Sequence, residues 1–219
     1  MTALQLIDKQ LQPLQLDDTI KSALKQMEAQ KCNHLPVIMD GAFKGLVSDK
    51  VLSHADKNET LHAVVQDFLP ASVNGSVHFL RGVIVANLYR TNVIPVTGDQ
   101  GEYLGSITQL DLVNALGNFS GAGEYGALIV LEIEKSKLIL SEINTIMESN
   151  GATILHYNIS PIAASEVMEV TIGIDKKEVS TILANLERYN YKVLYSSGED
   201  LLETELEDNY FNLMHYLGI

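Results

Sequence analysis

Cysteine is nearly absent: Cys32 is the one copy in 219 residues. A single chain can therefore form neither an internal disulfide nor a multi-thiolate zinc site, and a reducing, cytoplasmic setting is expected. Basic residues are also scarce, 15 against 28 acids, for a net charge of −13. Such a charge repels a nucleic-acid backbone and an anionic bilayer. No basic stripe with interleaved aromatics offsets it, so neither nucleic acid nor membrane is expected as a partner. The total leaves open a local pocket in which backbone amides hold a small anion. No run approaches the roughly 18 apolar residues of a membrane span, and residues 1–20 lack a basic start followed by an apolar block. A soluble chain whose mature form starts near Met1 is expected.

Catalytic signatures are missing too. The histidines at His34, His54, His62, His78, His156 and His215 show no i, i+4 pairing on one element, so no metal site is expected. There is no Walker-type loop and no Gly-x-Ser-x-Gly elbow. Gly121-Ala122-Gly123-Glu124-Tyr125-Gly126 matches the spacing of a dinucleotide loop but leads into a strand instead of a helix, which is the wrong setting for a pyrophosphate. No catalytic residue is nominated, and a non-catalytic protein is expected.

What the chain does contain is a repeat at a separation of about 60 residues. Leu35-Pro36-Val37-Ile38, a turn at Asp40-Gly41 and Phe43-Lys44-Gly45-Leu46-Val47-Ser48 lead into a helix-like run from Asp49. Ile94-Pro95-Val96-Thr97, a turn over Gly98 to Gly101 and Tyr103-Leu104-Gly105-Ser106-Ile107-Thr108 lead into Gln109-Leu110-Asp111-Leu112. Each unit predicts a hairpin followed by a helix, with the proline at a strand start or edge. Upstream, Asp18 is expected to cap a helix carrying Ile20, Ala23, Leu24 and Met27. Its counterpart, Val77 to Arg90, is apolar throughout, which predicts burial between the copies or at an oligomer contact.

The glycine-rich stretch 118–126 reads as a linker. Beyond it the pattern is strand (Leu128 to Glu134), helix (Leu138 to Ser149), strand (Thr153 to Ser160), strand (Glu166 to Asp175), helix (Lys177 to Tyr189) and strand (Tyr191 to Ser196). This βαββαβ order predicts a ferredoxin-like antiparallel sheet with both helices on one face. Residues 199–219 form an acidic segment ending in Phe211, Leu213, Met214 and Leu217, read as a docking C-terminal helix or as a tail.

The repeated Pro-Val hairpin followed by Gly-x-x-Ser/Thr resembles the cystathionine-β-synthase (CBS) domain. Two copies, about 1–60 and about 61–117, resemble the tandem pair called a Bateman module. Residues 127–198 resemble the ACT domain, and the order as a whole is similar to CBS-ACT regulators of the acetoin-utilisation type. The fold class is thus expected to be α/β (α+β), a tandem CBS pair over 1–117 followed by an ACT-like domain.

The resemblance implies an adenosine-containing effector, AMP, ADP, ATP or S-adenosylmethionine, in the cleft of the pair, with no cofactor required. The family's ligand signature, Gly-x-x-Thr/Ser-x-x-Asp, is complete in Gly105 to Asp111. It implies that Asp111 holds the ribose hydroxyls and Thr108 the phosphate, although Thr108 can equally be a helix N-cap with Asp111 at N3. The first copy puts Val51 where the aspartate belongs, so Ser48 marks a second, weaker site.

Family geometry adds Asp18, Ala23, Cys32 and Asn33 from the first copy and Asn92 and Val93 from the second, where the lack of a cation disfavours di- and triphosphates. In place of the glycine of effector-binding ACT loops stand Glu134-Lys135-Ser136-Lys137, which points to assembly rather than amino-acid binding. The implied function is a regulatory sensor that acts on an unidentified protein target, as a homodimer. The alternatives are a purely structural homodimerisation module and an enzyme with an unrecognised site.

Overall fold

The computed structural model describes residues 1–124 and 126–198. The segment 199–219, expected as a helix or tail, lies outside the described residues. The chain divides into two compact units, Met1–Leu116 and Gly117–Ile219. Among the described residues no helix is long and apolar enough to cross a membrane.

The first unit contains the same motif twice. In the first copy β1 (Leu14–Gln15) precedes α1 (Ile20–Gln30), then β2 (His34–Met39), β3 (Ala42–Ser48) and α2 (Asp49–Ser53). In the second, β4 (Val73–Asn74) precedes α3 (Leu80–Tyr89), then β5 (Val93–Thr97), β6 (Tyr103–Thr108) and α4 (Gln109–Ser120). Each sheet is three-stranded, β1-β2-β3 and β4-β5-β6. The registers match: Val37 faces Gly45 just before a bulge in one hairpin, and Val96 faces Gly105 just before a bulge in the other.

The prolines sit in central strands, but β1 pairs only with Val37 and Ile38, and β4 only with Val96 and Thr97. Pro36 and Pro95 thus lie beyond the short strand, where a missing N–H costs no ladder bond.

Local chemistry ends the helices. Thr19, not the expected Asp18, caps α1 by accepting from the Ser22 amide. The Asp18 carboxylate accepts instead from the Gln15 amide at 2.7 Å, closing the turn before the helix. Lys31 and Arg90 close α1 and α3 in the left-handed conformation, with φ of 54° and 50°.

The two copies are laced together. The segment before the first copy pairs with the second, the Asp8 amide donating to the Ser106 carbonyl at 2.8 Å. The segment before the second copy pairs with the first, Leu46 and Leu69 exchanging both backbone bonds. The hairpin tips also bond reciprocally, Phe43 N–H to Gly101 O and Tyr103 N–H to Gly41 O. Side chains cross as well: Ala3 belongs to the second copy's core and Val93 to the first copy's.

Of the two settings expected for helix α3, the structure excludes one. Burial between the copies is contradicted, because Ile84 is 52% and Leu88 71% exposed. Only Gly82 of this helix is buried. Helix α4 runs past Gly117 to Ser120, into the stretch expected as linker.

The second unit contains β7 (Ala127–Glu134), α5 (Leu140–Ser149), β8 (Ile154–Pro161), β9 (Val167–Ile174), α6 (Ser180–Arg188) and β10 (Lys192–Ser197). The strand order is β10-β7-β9-β8, antiparallel throughout, the ferredoxin-like arrangement. Strict alternation along β7 sends Ala127, Ile129, Leu131 and Ile133 into a core with Ile143, Ile146 and Met147 of α5 and Ile182 and Leu186 of α6. The other face of the sheet presents Leu128, Val130 and Glu132.

Candidate functional site

The Gly-x-x-Thr-x-x-Asp segment forms the turn from β6 into α4. Gly105 has φ +148°, and a Cβ there would lie 2.3 Å from Ile7 of the crossing leader. Gly45 is its counterpart, with φ +152° and Phe68 at 2.6 Å. Both glycines are thus required by close approach of the other copy's leader, as well as by their dihedrals.

At the head of α4, Thr108 and Asp111 are tied to each other three times. The Asp111 carboxylate accepts from the Thr108 amide at 3.0 Å and from the Thr108 hydroxyl at 2.5 Å. The Thr108 oxygen in turn accepts from the Asp111 amide at 3.1 Å. This is a capping box with an aspartate in the third position. Ser48 caps α2 in the same way through the Val51 amide, at 3.2 Å. Val51 supplies no carboxylate to complete the box.

Thr108 lines a cavity of about 260 Å3 with Asp8, Gln10, Leu11, Gln30 and Cys32. One wall is thus the second copy's signature, and the others are the leader, helix end and loop of the first. The Gln30 side chain is held by Gln12, accepting from its amide at 2.8 Å and donating to its carbonyl at 3.2 Å. The Cys32 thiol donates to the Gln30 carbonyl, and burial pushes its pKa up from the usual 9.0. Asp8 holds the wall in shape by accepting from the Gln10 amide at 2.8 Å.

The other nominated residues lie elsewhere. Asn33 and Asn92 meet across the copies, the Asn33 amide donating to the Asn92 side chain at 3.3 Å. They line a separate cavity of about 390 Å3 with Asn87, Arg90, Thr91 and Gln109. Arg90 therefore supplies next to Asn92 the cation that sequence reading did not find there. Ala23 and Val93 are 0% exposed, inside the first copy's core, and cannot touch a ligand. Asp18 is committed to its turn.

The residues missed were Asp8, Gln10, Leu11 and Gln30. The first three lie outside the repeat, and only the crossing of the leader brings them to Thr108. Nearby, His34 lies on β2, where burial pulls its imidazole below 6.5 against the opposing pull of Asp49.

In the second unit a cavity of about 770 Å3 lies at the β7–α5 end of the sheet, lined in part by Glu132, Lys137, Glu142, Tyr191 and Lys192. Its lysines are paired, Lys137 with Glu134 at 2.8 Å and Lys192 with Glu132 at 2.9 Å. Tyr191 donates to Glu142 at 2.5 Å, and burial, with that carboxylate, drives its phenol pKa upward.

Comparison with known proteins agrees with the first unit. The CBS domain family profile matches residues 5–58. A CBS domain-containing protein of Dictyostelium discoideum is 32% identical over 139 residues, 51% of this chain and 88% of the relative. Among solved structures, a CBS domain pair/ACT domain protein from Thermotoga maritima superposes with a TM-score of 0.50 at 16% identity, over 54% of this chain and 98% of its own. The crystal structure of CBSX2 in complex with AMP matches with a TM-score of 0.44 at 23% identity, over 54% of this chain and 97% of that one. With a repeated strand-helix-hairpin-helix motif, exchanged leaders and a relative at this identity over most of its length, the chain belongs to the family of CBS-domain proteins.

Proposed function

We propose that this protein is a non-catalytic regulatory sensor that binds an adenosine-containing small molecule at the Thr108 cavity of its CBS pair. The observation that carries the reading is that Thr108, in an intact Gly-x-x-Thr-x-x-Asp segment, opens onto a cavity walled by the other copy. A ligand there touches both copies at once, so it binds one packing of the pair better than another, which is the energetic requirement for a switch. Asp111 has a carboxylate oxygen beyond the one engaged with Thr108, suited to accepting from a ribose hydroxyl.

The second unit, of the ACT type in this reading, carries the change to a protein partner, and the chain works as a homodimer. A purely structural module is the competing reading. It is favoured by one observation: Thr108 and Asp111 satisfy each other as a cap without any ligand.

Titration calorimetry with adenosine, AMP, ADP, ATP and S-adenosylmethionine separates the two. The sensor reading expects saturable binding of at least one of them, weakened at least about tenfold in Asp111→Ala. Loss of the cap costs that variant about 1 kcal/mol of stability. Asp111→Asn, which keeps an acceptor for the Thr108 amide, checks that weaker binding is not misfolding. No binding by the folded wild type, or equal binding by both variants, overturns the reading.

A further inference from the structure

Three observations bear on what the Thr108 cavity takes. First, the one charged side chain lining it is an acid. Asp8 lines the wall, and no Lys or Arg is among the lining residues. Arg90 lines the neighbouring cavity with Asn33 and Asn92.

Second, three of the amides at the head of α4 that would ordinarily cradle a phosphate are engaged. Thr108 N–H goes to Asp111, Asp111 N–H to Thr108, and Gln109 N–H to the Asn92 carbonyl at 2.9 Å. The Thr108 hydroxyl likewise gives its proton to Asp111. The phosphate-holding role implied for Thr108 thus has no donor left. Third, about 260 Å3 is small. It falls below the roughly 300 to 1,000 Å3 of ordinary ligand pockets and favours a small ligand.

Resting on the sensor reading above, we infer that the ligand is an adenosine-type molecule without a phosphate, neutral or positively charged at its 5′ end, with Asp8 facing that end. A phosphate brought here would meet the Asp8 carboxylate in a half-buried setting, where like charges repel more strongly than in water. A 5′ hydroxyl, amine or sulfonium would be attracted to the same group.

The test is calorimetry on the intact chain at fixed ionic strength, with adenosine, S-adenosylmethionine, AMP and ATP as probes. Adenosine or S-adenosylmethionine is expected to bind at least about tenfold more tightly than AMP, and ATP more weakly still. Asp8→Asn keeps an acceptor for the Gln10 amide while removing the charge, and is expected to narrow the gap by improving AMP several-fold. Thermal unfolding of the variant confirms that the leader stays in place.

AMP or ATP binding as tightly as adenosine would overturn this inference and leave the sensor reading standing. So would tight AMP binding that disappears in Arg90→Ala, which would move the phosphate to the neighbouring cavity. Failure of every probe to bind would remove the sensor reading and this inference together.

Discussion

At the scale of the residue, Gly45 and Gly105 show how one motif position serves two demands. Each adopts a φ that L side chains avoid, and each faces a leader side chain at a distance no real Cβ tolerates. Gly105→Ala is therefore expected to lower stability by about 2 kcal/mol in urea unfolding. Removing the obstructing group in the double variant Ile7→Ala, Gly105→Ala is expected to restore part of that loss. The part not restored measures the dihedral strain.

The glycine was legible in the repeat, as was its serine or threonine three residues on. Its reason was not, because Ile7 lies nearly 100 residues away in sequence. The same limit applies to Ala23 and Val93. The CBS resemblance nominated them as ligand positions, while burial is a property of the packed core and placed both out of a ligand's reach.

At the scale of the element, the two copies act as an internal control on each other. Their hairpins share one register, which makes Lys25 the equivalent of Ile84, Lys50 of Leu110 and Ser53 of Val113. In the first copy these positions are solvent-exposed and polar, so the fold itself does not ask for apolar side chains there. In the second, Ile84, Leu88, Leu110 and Val113 are all more than half exposed. Large apolar side chains left exposed on two helices of one copy mark an association surface.

The proposed homodimer is therefore expected to use α3 and α4. Light scattering at micromolar concentration should give twice the chain mass for wild type and the single mass for Ile84→Lys, Leu88→Glu. Exposed positions of this kind should shift the unfolding free energy of the subunit itself by no more than about 0.5 kcal/mol. A wild-type monomer, or a dimer insensitive to both changes, would rule out this face. The apolar character of α3 was evident from the sequence, but its exposure was not. An all-apolar helix is compatible with either a core or an interface, and only the neighbours decide.

At the scale of the whole molecule, the exchanged leaders make the two copies one folding unit. Residues before the first copy complete the second: Ala3 sits in its core, Ile7 packs on Gly105, and Asp8 bonds to Ser106. Deletion of residues 1–9 should accordingly destabilise the second copy more than the first, although it removes nothing from either strand-helix-hairpin-helix motif. Hydrogen exchange would show this as faster exchange in β5, β6 and α4 than in β2 and β3. Equal protection in both copies would mean that the leader is a passive strap. The same deletion removes Asp8 from the Thr108 cavity and should abolish ligand selection there.

What the sequence by itself determined is what short-range chemistry controls. It set the period of the repeat, the hairpin turns at Asp40-Gly41 and Gly98 to Gly101, the βαββαβ order of the second unit and the segment that carries Thr108 and Asp111. The turns and the βαββαβ order follow from turn dihedrals, alternation and helical spacing, each readable within a dozen residues, whereas the period came from comparing the two halves and the Thr108–Asp111 segment from the CBS resemblance.

Only the tertiary structure decided which groups meet. It brought Asp8, Gln10 and Leu11 to Thr108, sent Asn33 and Asn92 to a different cavity and left α3 open. The physical reason is that a cleft forms from the crossing of segments distant in the chain. Their pairing is selected by burial and hydrogen bonding of the whole unit, which no local pattern encodes.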